Sequence, residues 1–454
     1  VTTPSVTRHQ FGDTLADWTF RFAGDTVTRG AGATVTFWSA LTGGSQYTDL
    51  LNAAGGGTSS VTTDANGQIP PFSGPAGITR MAADANSGNG PRAWIMCTDL
   101  ADVAVQALPP SGDTTGATDT ANVQATLNTA TAGTEVLMAP GHWYWNTTIT
   151  IPAGVWLVMA QGYRAAGSKI SMTAGFTGTS AVAFAPATPC GGVRGLVLDG
   201  SALPAGAVDG IACTGACKFG SIIGCNIGHF TGHGISITVS GGNPDGWHLR
   251  EISCHDNAGS GVWWDYAVDG QMDTFHLDHN NVGLSLGTMN NITFSHGKCQ
   301  QNTLYGYGLT GGFVKSNATF TACLSENNGQ DGWHMNVTTG GGQGALSLMG
   351  CSTRDDGTSG TSGSGYSGFW LNSKNVDLTL TGCSNYVTAS AAGPDYGLTL
   401  AGCLGNTAIL GGTYGGAVAA YHDGGGNTGA LHWAQVTQWT GQAGSRSGVT
   451  VVNT

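Results

Sequence analysis

From about Val193 onward one short phrase recurs: alternating apolar residues, a small residue, a cysteine, an Asn-rich polar turn, then Gly and another apolar run. Leu346-Ser-Leu-Met-Gly-Cys351, Leu378-Thr-Leu-Thr-Gly-Cys383 and Leu398-Thr-Leu-Ala-Gly-Cys403 are near copies, and weaker ones end at Cys225, Cys254, Cys299 and Cys323. Leu277 stands where a cysteine would fall. An irregular repeat of about 20 to 32 residues specifies a solenoid whose turns carry loops of differing length.

Composition agrees. Glycine supplies 76 of 454 residues and charged residues only 9%, so helix formers are scarce and the chain favours short strands joined by tight turns. The formal charge of -12 comes from few charges of either sign, and no Lys/Arg cluster exists to displace counterions from a phosphate backbone, which argues against nucleic acid as a partner. No apolar run is long enough to span a membrane, so no membrane insertion is expected, and Val1 opens a polar stretch that does not read as a signal peptide. The 11 cysteines are an odd number that mostly recurs once per phrase. They are expected as free thiols stacked inside the tube, in a protein made in a reducing cytoplasm, with Cys213 and Cys217 close enough in sequence for one local loop.

Residues 1–95 read as a separate small β domain. Trp18-Thr-Phe-Arg-Phe22 and Thr34-Val-Thr-Phe-Trp38 alternate as half-buried strands, and Asp64-Ala-Asn-Gly67 marks a turn. The run Val35-Thr-Phe-Trp38, Gly43-Gly-Ser-Gln-Tyr-Thr-Asp-Leu50, Gly67-Gln-Ile-Pro-Pro-Phe72 and Gly77-Ile78 resembles the N-terminal module of minor tail proteins and tailspikes from phages of actinobacteria. That resemblance implies attachment to a tail or baseplate through residues 1–95, a virion location and, as in tailspikes, a homotrimer.

Residues 96–130 read as a linker and a capping helix around Asp119-Thr-Ala-Asn-Val-Gln-Ala-Thr-Leu127. The succession that follows, a strand ending in Pro140-Gly141, then Thr148-Ile-Thr-Ile-Pro-Ala-Gly154, then Val155-Trp-Leu-Val-Met159, resembles the start of the pectate-lyase-like right-handed β-helix of phage tailspikes. The fold expected is therefore all-β: a right-handed parallel β-helix over 131–415, preceded by the small β domain and followed by a cap or trimer-contact segment, 416–454, with Tyr421, Trp433 and Trp439. In triplets such as Val262-Trp-Trp264, Trp333-His-Met335 and Phe369-Trp-Leu371, period-2 alternation sends the first and third residues inward and the middle one outward.

Few carboxylates are present, so those on the turns draw attention. Aligning turns on Asn257, Asn280, Asn302 and Asn327 puts Asp256, His279, Gln301 and Glu326 in one column, with His255, Asp278, Gln300 and Ser325 beside it. Successive rungs are ~4.8 Å apart, so His255, Asp256, Asp278 and His279 should crowd one patch. Two carboxyl groups there could divide into the acid and the base or nucleophile of glycosidic hydrolysis, with Glu326 the alternative acid. Such residues also serve as turn-satisfying ladders, and that plainer role competes for each of them. Outward Trp263, His334 and Trp370, with Asp331 nearby, are candidate sugar-contacting residues; the same aromatics would also suit burial between chains. Asp355 and Asp356 fall in a Gly/Ser-rich insertion, as a solvated loop or the lip of a groove. No metal or cofactor is expected: Gly340-Gly-Gly-Gln-Gly344 lacks the Lys-Ser/Thr of a phosphate loop, and no metal-ligand spacing stands out. Two readings stay open, a depolymerase of host cell-surface polysaccharide and a non-catalytic receptor-binding or structural tail protein.

Overall fold

The computed structural model describes residues 8–13, 19–23, 26–98, 107–159, 167–239, 242–310, 317–337, 344–359, 364–373, 376–387, 393–428, 430–434, 437–439, 442–443 and 451–453. Two compact units result, Val1–Gln106 and Ala107–Thr454.

The first unit is built from antiparallel strands. Thr34–Trp38 pairs with Arg80–Asp84, Gln46–Tyr47 and Val61–Thr62, and its Val35 and Phe37 join Phe11, Leu50, Phe72 and Met81 in a buried core. At the Asp64 turn the carboxylate accepts the Gln68 and Asn66 amides at 2.8 Å each, and the Gln68 bond foremost holds its pKa below the usual range. The strand expected at Trp18–Phe22 is observed at Phe20–Ala23; Trp18 lies outside the described residues, as do Gly340 to Gln343.

The second unit opens with helix α1, Ala117–Thr129, which packs on the strand His142–Ile151 and buries Val123 and Leu127. Asp119 does not cap this helix. It is buried and accepts the Ser111 and Tyr144 amides at 2.7 and 2.9 Å, tying the helix to the first rungs, while Asp113 accepts the Thr118 amide at 2.9 Å. A helix over the mouth of a tube removes an apolar end and an open edge.

From Glu135 the chain winds as a right-handed parallel β-helix. A turn has three strands. Asn317–Thr321, Leu324–Glu326 and Trp333–Val337, for example, pair in parallel with Gly344–Met349, Ser352–Arg354 and Ser367–Ser373 of the next turn. One left-handed residue makes the corner between the first and second strand: Gly224, Glu251, Thr274, His296, Ala322, Gly350 and Gly382 on successive turns, with φ between 51° and 60°. In three turns this corner bends a continuous strand, His248–His255, Gln271–Asp278 and Ile292–Gln300.

The period-2 alternation holds. Val262, Trp264, Trp333, Met335, Phe369 and Leu371 are buried, and inside the tube Tyr307 stacks on Trp333 at 4.0 Å and Phe294 on Phe320 at 4.4 Å. Each such side chain taken fully from water contributes about 1.5–3 kcal/mol. All 11 cysteines are buried and free, Cys213 and Cys217 included. They do not form one column, however. Ile227, two residues past Cys225, pairs with Cys254, and Cys254 stacks on Leu277 and then Cys299; Leu324, just after Cys323, pairs with Ser352, just after Cys351. The third near copy is displaced further, because Leu398-Thr-Leu400 stacks on Phe369-Trp-Leu371, the third strand of a turn, and not on Leu378-Thr-Leu380. The phrase thus marks a strand followed by a corner, wherever on the turn it occurs.

The ladder also runs past 415. Ala419–Gly425 stacks on Tyr396–Ala401, Leu431–Ala434 on Thr407–Leu410, and Val451–Asn453 on Leu431–Ala434. Tyr421 is a buried member of this core; the side chains of Trp433 and Trp439 lie outside the described residues. Among the described residues no helix is long and apolar enough to cross a membrane.

Candidate functional site

The corner between the second and third strands gathers the polar chemistry. It is made by residues in the left-handed region, His229, Asp256, His279, Gln301, Asn327 and Asp355, with φ between 50° and 63°. Asp and Asn tolerate this conformation better than most residues. The residue after each turns inward and hydrogen-bonds upward. The Asn257 amide donates to Asn280 Oδ1 (3.1 Å), Asn280 to Asn302 (3.0 Å), Asn302 to Asn328 (2.9 Å) and Asn328 to Asp356 (2.9 Å). Each asparagine's Nδ2 also donates to the backbone carbonyl of a neighbouring turn, as Asn280 does to Cys254 at 3.0 Å. The ladder satisfies corner amides that water cannot reach.

Asn328, not Asn327, occupies the ladder, which corrects the alignment of the sequence by one residue in that turn. Asn327 takes the left-handed corner, and Glu326 falls in the strand column with His255, Asp278 and Gln300. There Glu326 is almost fully buried, with Lys298 Nζ at 2.7 Å and the Arg354 guanidinium against it, so it is a carboxylate held between two cations and not an available acid. Asp355 and Asp356 form neither a solvated loop nor a lip. Both are buried, and Asp356 ends the ladder: its Oδ1 accepts the Asn328 amide, Asn328 Nδ2 and Ser325 Oγ. Burial raises its pKa to about 7, helped by the nearby charge of Asp331.

On the outer side of the corner, over the earlier turns, lies a groove of about 540 Å³. His229, Asp256 and His279 line it with the hydroxyls of Ser201, Thr231 and Thr303 and the amide of Asn281. His255 and Asp278 stand beside it, one column in. His255 Nδ1 is 2.9 Å from Asp256 Oδ2 and its Nε2 is 2.9 Å from Asn226 Oδ1. Asp278 pairs with His279 Nδ1 at 3.0 Å and lies 3.8 Å from His276 Nδ1. The Asp278 carbonyl also accepts the Asp256 amide at 3.1 Å, which fixes the two turns together. Each of these carboxylates is therefore partnered by imidazole.

The remaining candidates lie elsewhere. Trp263, His334 and Trp370 share one outward column on the third strand, but Ser285 and Gly308 intervene, so Trp263 and Trp370 are four rungs or roughly 19 Å apart. Trp263 is 39% exposed and meets the edge of His233; His334 is sandwiched between Tyr305 (4.0 Å) and Trp370 (4.4 Å). Asp331 is buried, accepts the Ser367 amide at 2.7 Å and pairs with His334 Nδ1 at 2.7 Å, and burial raises its pKa. None of these four lines the groove.

Three residues of the site were not singled out from the sequence: Asp199, Asn226 and His229. His229 Nδ1 is 3.3 Å from Asp199 Oδ1, and its Nε2 is 3.8 Å from Asp256 Oδ2. Asp199 is held in turn by Lys169 Nζ at 2.9 Å. The usable signal was Gly228. This glycine pairs with His255, and a methyl group there would collide with the His255 ring, so a glycine before His229 is what lets the imidazole lie across the neighbouring turn.

No family model matches the sequence, and no curated protein matches it. Solved structures do resemble it. The Dettilon tailspike protein is similar over 72% of this chain at 13% identity with a TM-score of 0.50, and this chain spans 66% of that protein's length. The Agl-KA catalytic domain is similar over 98% of this chain and 87% of its own, at 11% identity and a TM-score of 0.51. The chain thus has the β-helical fold found in phage tailspikes and in the Agl-KA catalytic domain, and at such identities the likeness concerns fold alone.

Proposed function

We propose that this chain is a phage tail protein of the tailspike or minor-tail kind that holds host envelope polysaccharide in the corner groove and hydrolyses its glycosidic bonds there. The observation that carries this reading is the groove itself, an open trough whose hydroxyl, amide and imidazole lining suits a polyhydroxylated chain, with the Asp256 carboxylate in its lining and that of Asp278, on the next turn, beside it. Asp256, facing the groove, and Asp278, behind it, are the proposed acid and base or nucleophile. His255 and His279 hold these carboxylates and orient them. Residues 1–95 are proposed to attach the protein to the tail or baseplate, placing it in the virion, and the spike is proposed to work as a homotrimer. Light scattering on the intact chain tests the trimer, and a stable monomer would remove it.

A second reading has its own support. The imidazole partners of both carboxylates and the neutralised Glu326 also suit a receptor-binding spike that grips glycan without cleaving it. Incubation with purified host polysaccharide, in chelator-containing buffer, separates the two: new reducing ends support hydrolysis, an unsaturated product indicates a lyase, and binding without either product supports the adhesin.

A further inference from the structure

His229, His255 and Asp256 bring two imidazoles and a carboxylate to one point on adjacent turns. Their ligand atoms all lie within 4.8 Å of one another. Asp256 Oδ2 is 2.9 Å from His255 Nδ1 and 3.8 Å from His229 Nε2. In a tetrahedral site with bonds of 2.0–2.1 Å, donor atoms stand about 3.3 Å apart, and the two observed separations bracket that value.

The far side of each ring supplies a second, independent observation. Metal-binding histidines characteristically give their other nitrogen to an oxygen acceptor, which fixes the tautomer and aims the free lone pair. Both rings here have an oxygen in that place: His229 Nδ1 lies 3.3 Å from Asp199 Oδ1, and His255 Nε2 is hydrogen-bonded with Asn226 Oδ1 at 2.9 Å. In the tautomers that donate through those atoms, His229 Nε2 and His255 Nδ1 present lone pairs toward Asp256 Oδ2; in the other tautomer of His255, Nδ1 donates its proton to that oxygen. Two lone pairs and an anionic oxygen converging on one point repel one another until a proton or a metal cation lies among them, and a metal ion displaces the proton of the free site. The remaining direction opens on the groove, which His229 and Asp256 both line.

We propose that His229 Nε2, His255 Nδ1 and Asp256 Oδ2 bind one divalent transition-metal ion of the zinc type, with Asp199 and Asn226 as the positioning residues behind the two imidazoles. The two-nitrogen, one-oxygen donor set suits zinc and its neighbours and is a poor match for calcium or magnesium, which take all-oxygen shells. With three protein ligands the ion keeps a coordination position toward the groove, open to water or to an oxygen of a bound ligand. An ion there also takes Asp256 out of proton transfer, so occupancy is expected to suppress the hydrolysis proposed above. The metal inference does not rest on the glycan reading, because metal binding is measured without any glycan.

Calorimetric titration of the chelator-stripped full chain with Zn²⁺ alone tests it, with circular dichroism to confirm folding of each variant. One ion per chain is expected, with binding lost in His229→Gln and His255→Gln, weakened 10- to 100-fold in Asp199→Asn, and unchanged in His296→Gln, whose partner Asp273 lies at the other corner. Asp256→Asn keeps a residue suited to the left-handed corner, so its loss of binding reads out ligation even if a histidine variant fails to fold. Absence of saturable binding, or a site that survives in His229→Gln and Asp256→Asn, would overturn the proposal.

Discussion

Two stretches of one corner share a backbone design and differ in chemistry. Over the turns carrying His229, Asp256 and His279, the left-handed residues are exposed and titratable, and the neighbouring column adds Asp199, His255 and Asp278. Over the later turns the same positions hold Gln301, Asn327 and the buried Asp355, and the column beside them holds Gln300, the neutralised Glu326 and its partner Arg354. The inner ladder runs beneath both stretches, from Asn257 to Asp356. A scaffold that satisfies its own corner amides from inside leaves the outer side chains free to vary, so the chemistry is set by the outer columns and the geometry by the inner one.

The sharpest way to break this contrast is to remove one carboxylate from each stretch. Asp256→Asn or Asp278→Asn should lower turnover of host polysaccharide by about 10²–10⁴-fold with folding retained, whereas Glu326→Gln should leave turnover within a few-fold. Equal losses in all three variants would erase the distinction.

Next in size is the pH response of the ladder's end. The folded pKa of Asp356, about 7, lies above its unfolded value, so the folded state binds the extra proton; the stability this contributes is complete below about pH 4 and is lost as pH rises through about 7. The shift corresponds to at most roughly 4 kcal/mol. Asp356→Asn should flatten that slope, and denaturant melts of both proteins at pH 4, 6 and 8 measure it. Parallel curves would contradict the assignment.

Removing an inner rung comes after that. Asn280→Ala strips the acceptor from the buried Asn257 amide and the donor from the Cys254 carbonyl, at a cost of about 2–3 kcal/mol by urea unfolding. A loss below about 0.5 kcal/mol would mean that the ladder does not support the corner. Smallest is the stability effect of Glu326→Gln, about 1–2 kcal/mol, because Lys298 and Arg354 are partly exposed and water compensates them. A loss as large as that of Asn280→Ala would show the ion triad to be as structural as the ladder.

The repeat, the strand alternation and most of the polar patch were legible because each is a local pattern. Cysteine proved a poor ruler. Cys225 precedes the residue that stacks beneath Cys254 by two positions, and its turn carries Phe230 where the next turns carry the aligned asparagines, so an alignment built on Asn257, Asn280, Asn302 and Asn327 left out Gly228 and His229 and hid half of the site. Two adjacent asparagines, Asn327 and Asn328, made the next register ambiguous by one residue, and that residue decides whether Glu326 faces the corner or the ion triad. Asp356 looked solvated because glycine and serine follow it, yet the turn after the ladder's last asparagine still needs an acceptor. Nothing in the sequence marks Glu251, Thr274, His296 or Ala322 as left-handed; a corner imposed by the neighbouring rungs overrides their local preference.

The central claim is that glycan lies in the groove over the earlier turns. Ala258 lines that groove, is exposed, and contributes only its backbone amide to the corner, through a 2.9 Å bond to Phe230. Ala258→Trp therefore fills the trough while leaving the ladder intact. Equilibrium binding of purified host envelope polysaccharide to this variant, in chelator and beside the unaltered chain, should show an affinity at least tenfold lower with an unchanged circular dichroism spectrum. Undiminished binding by a folded Ala258→Trp protein would contradict the account.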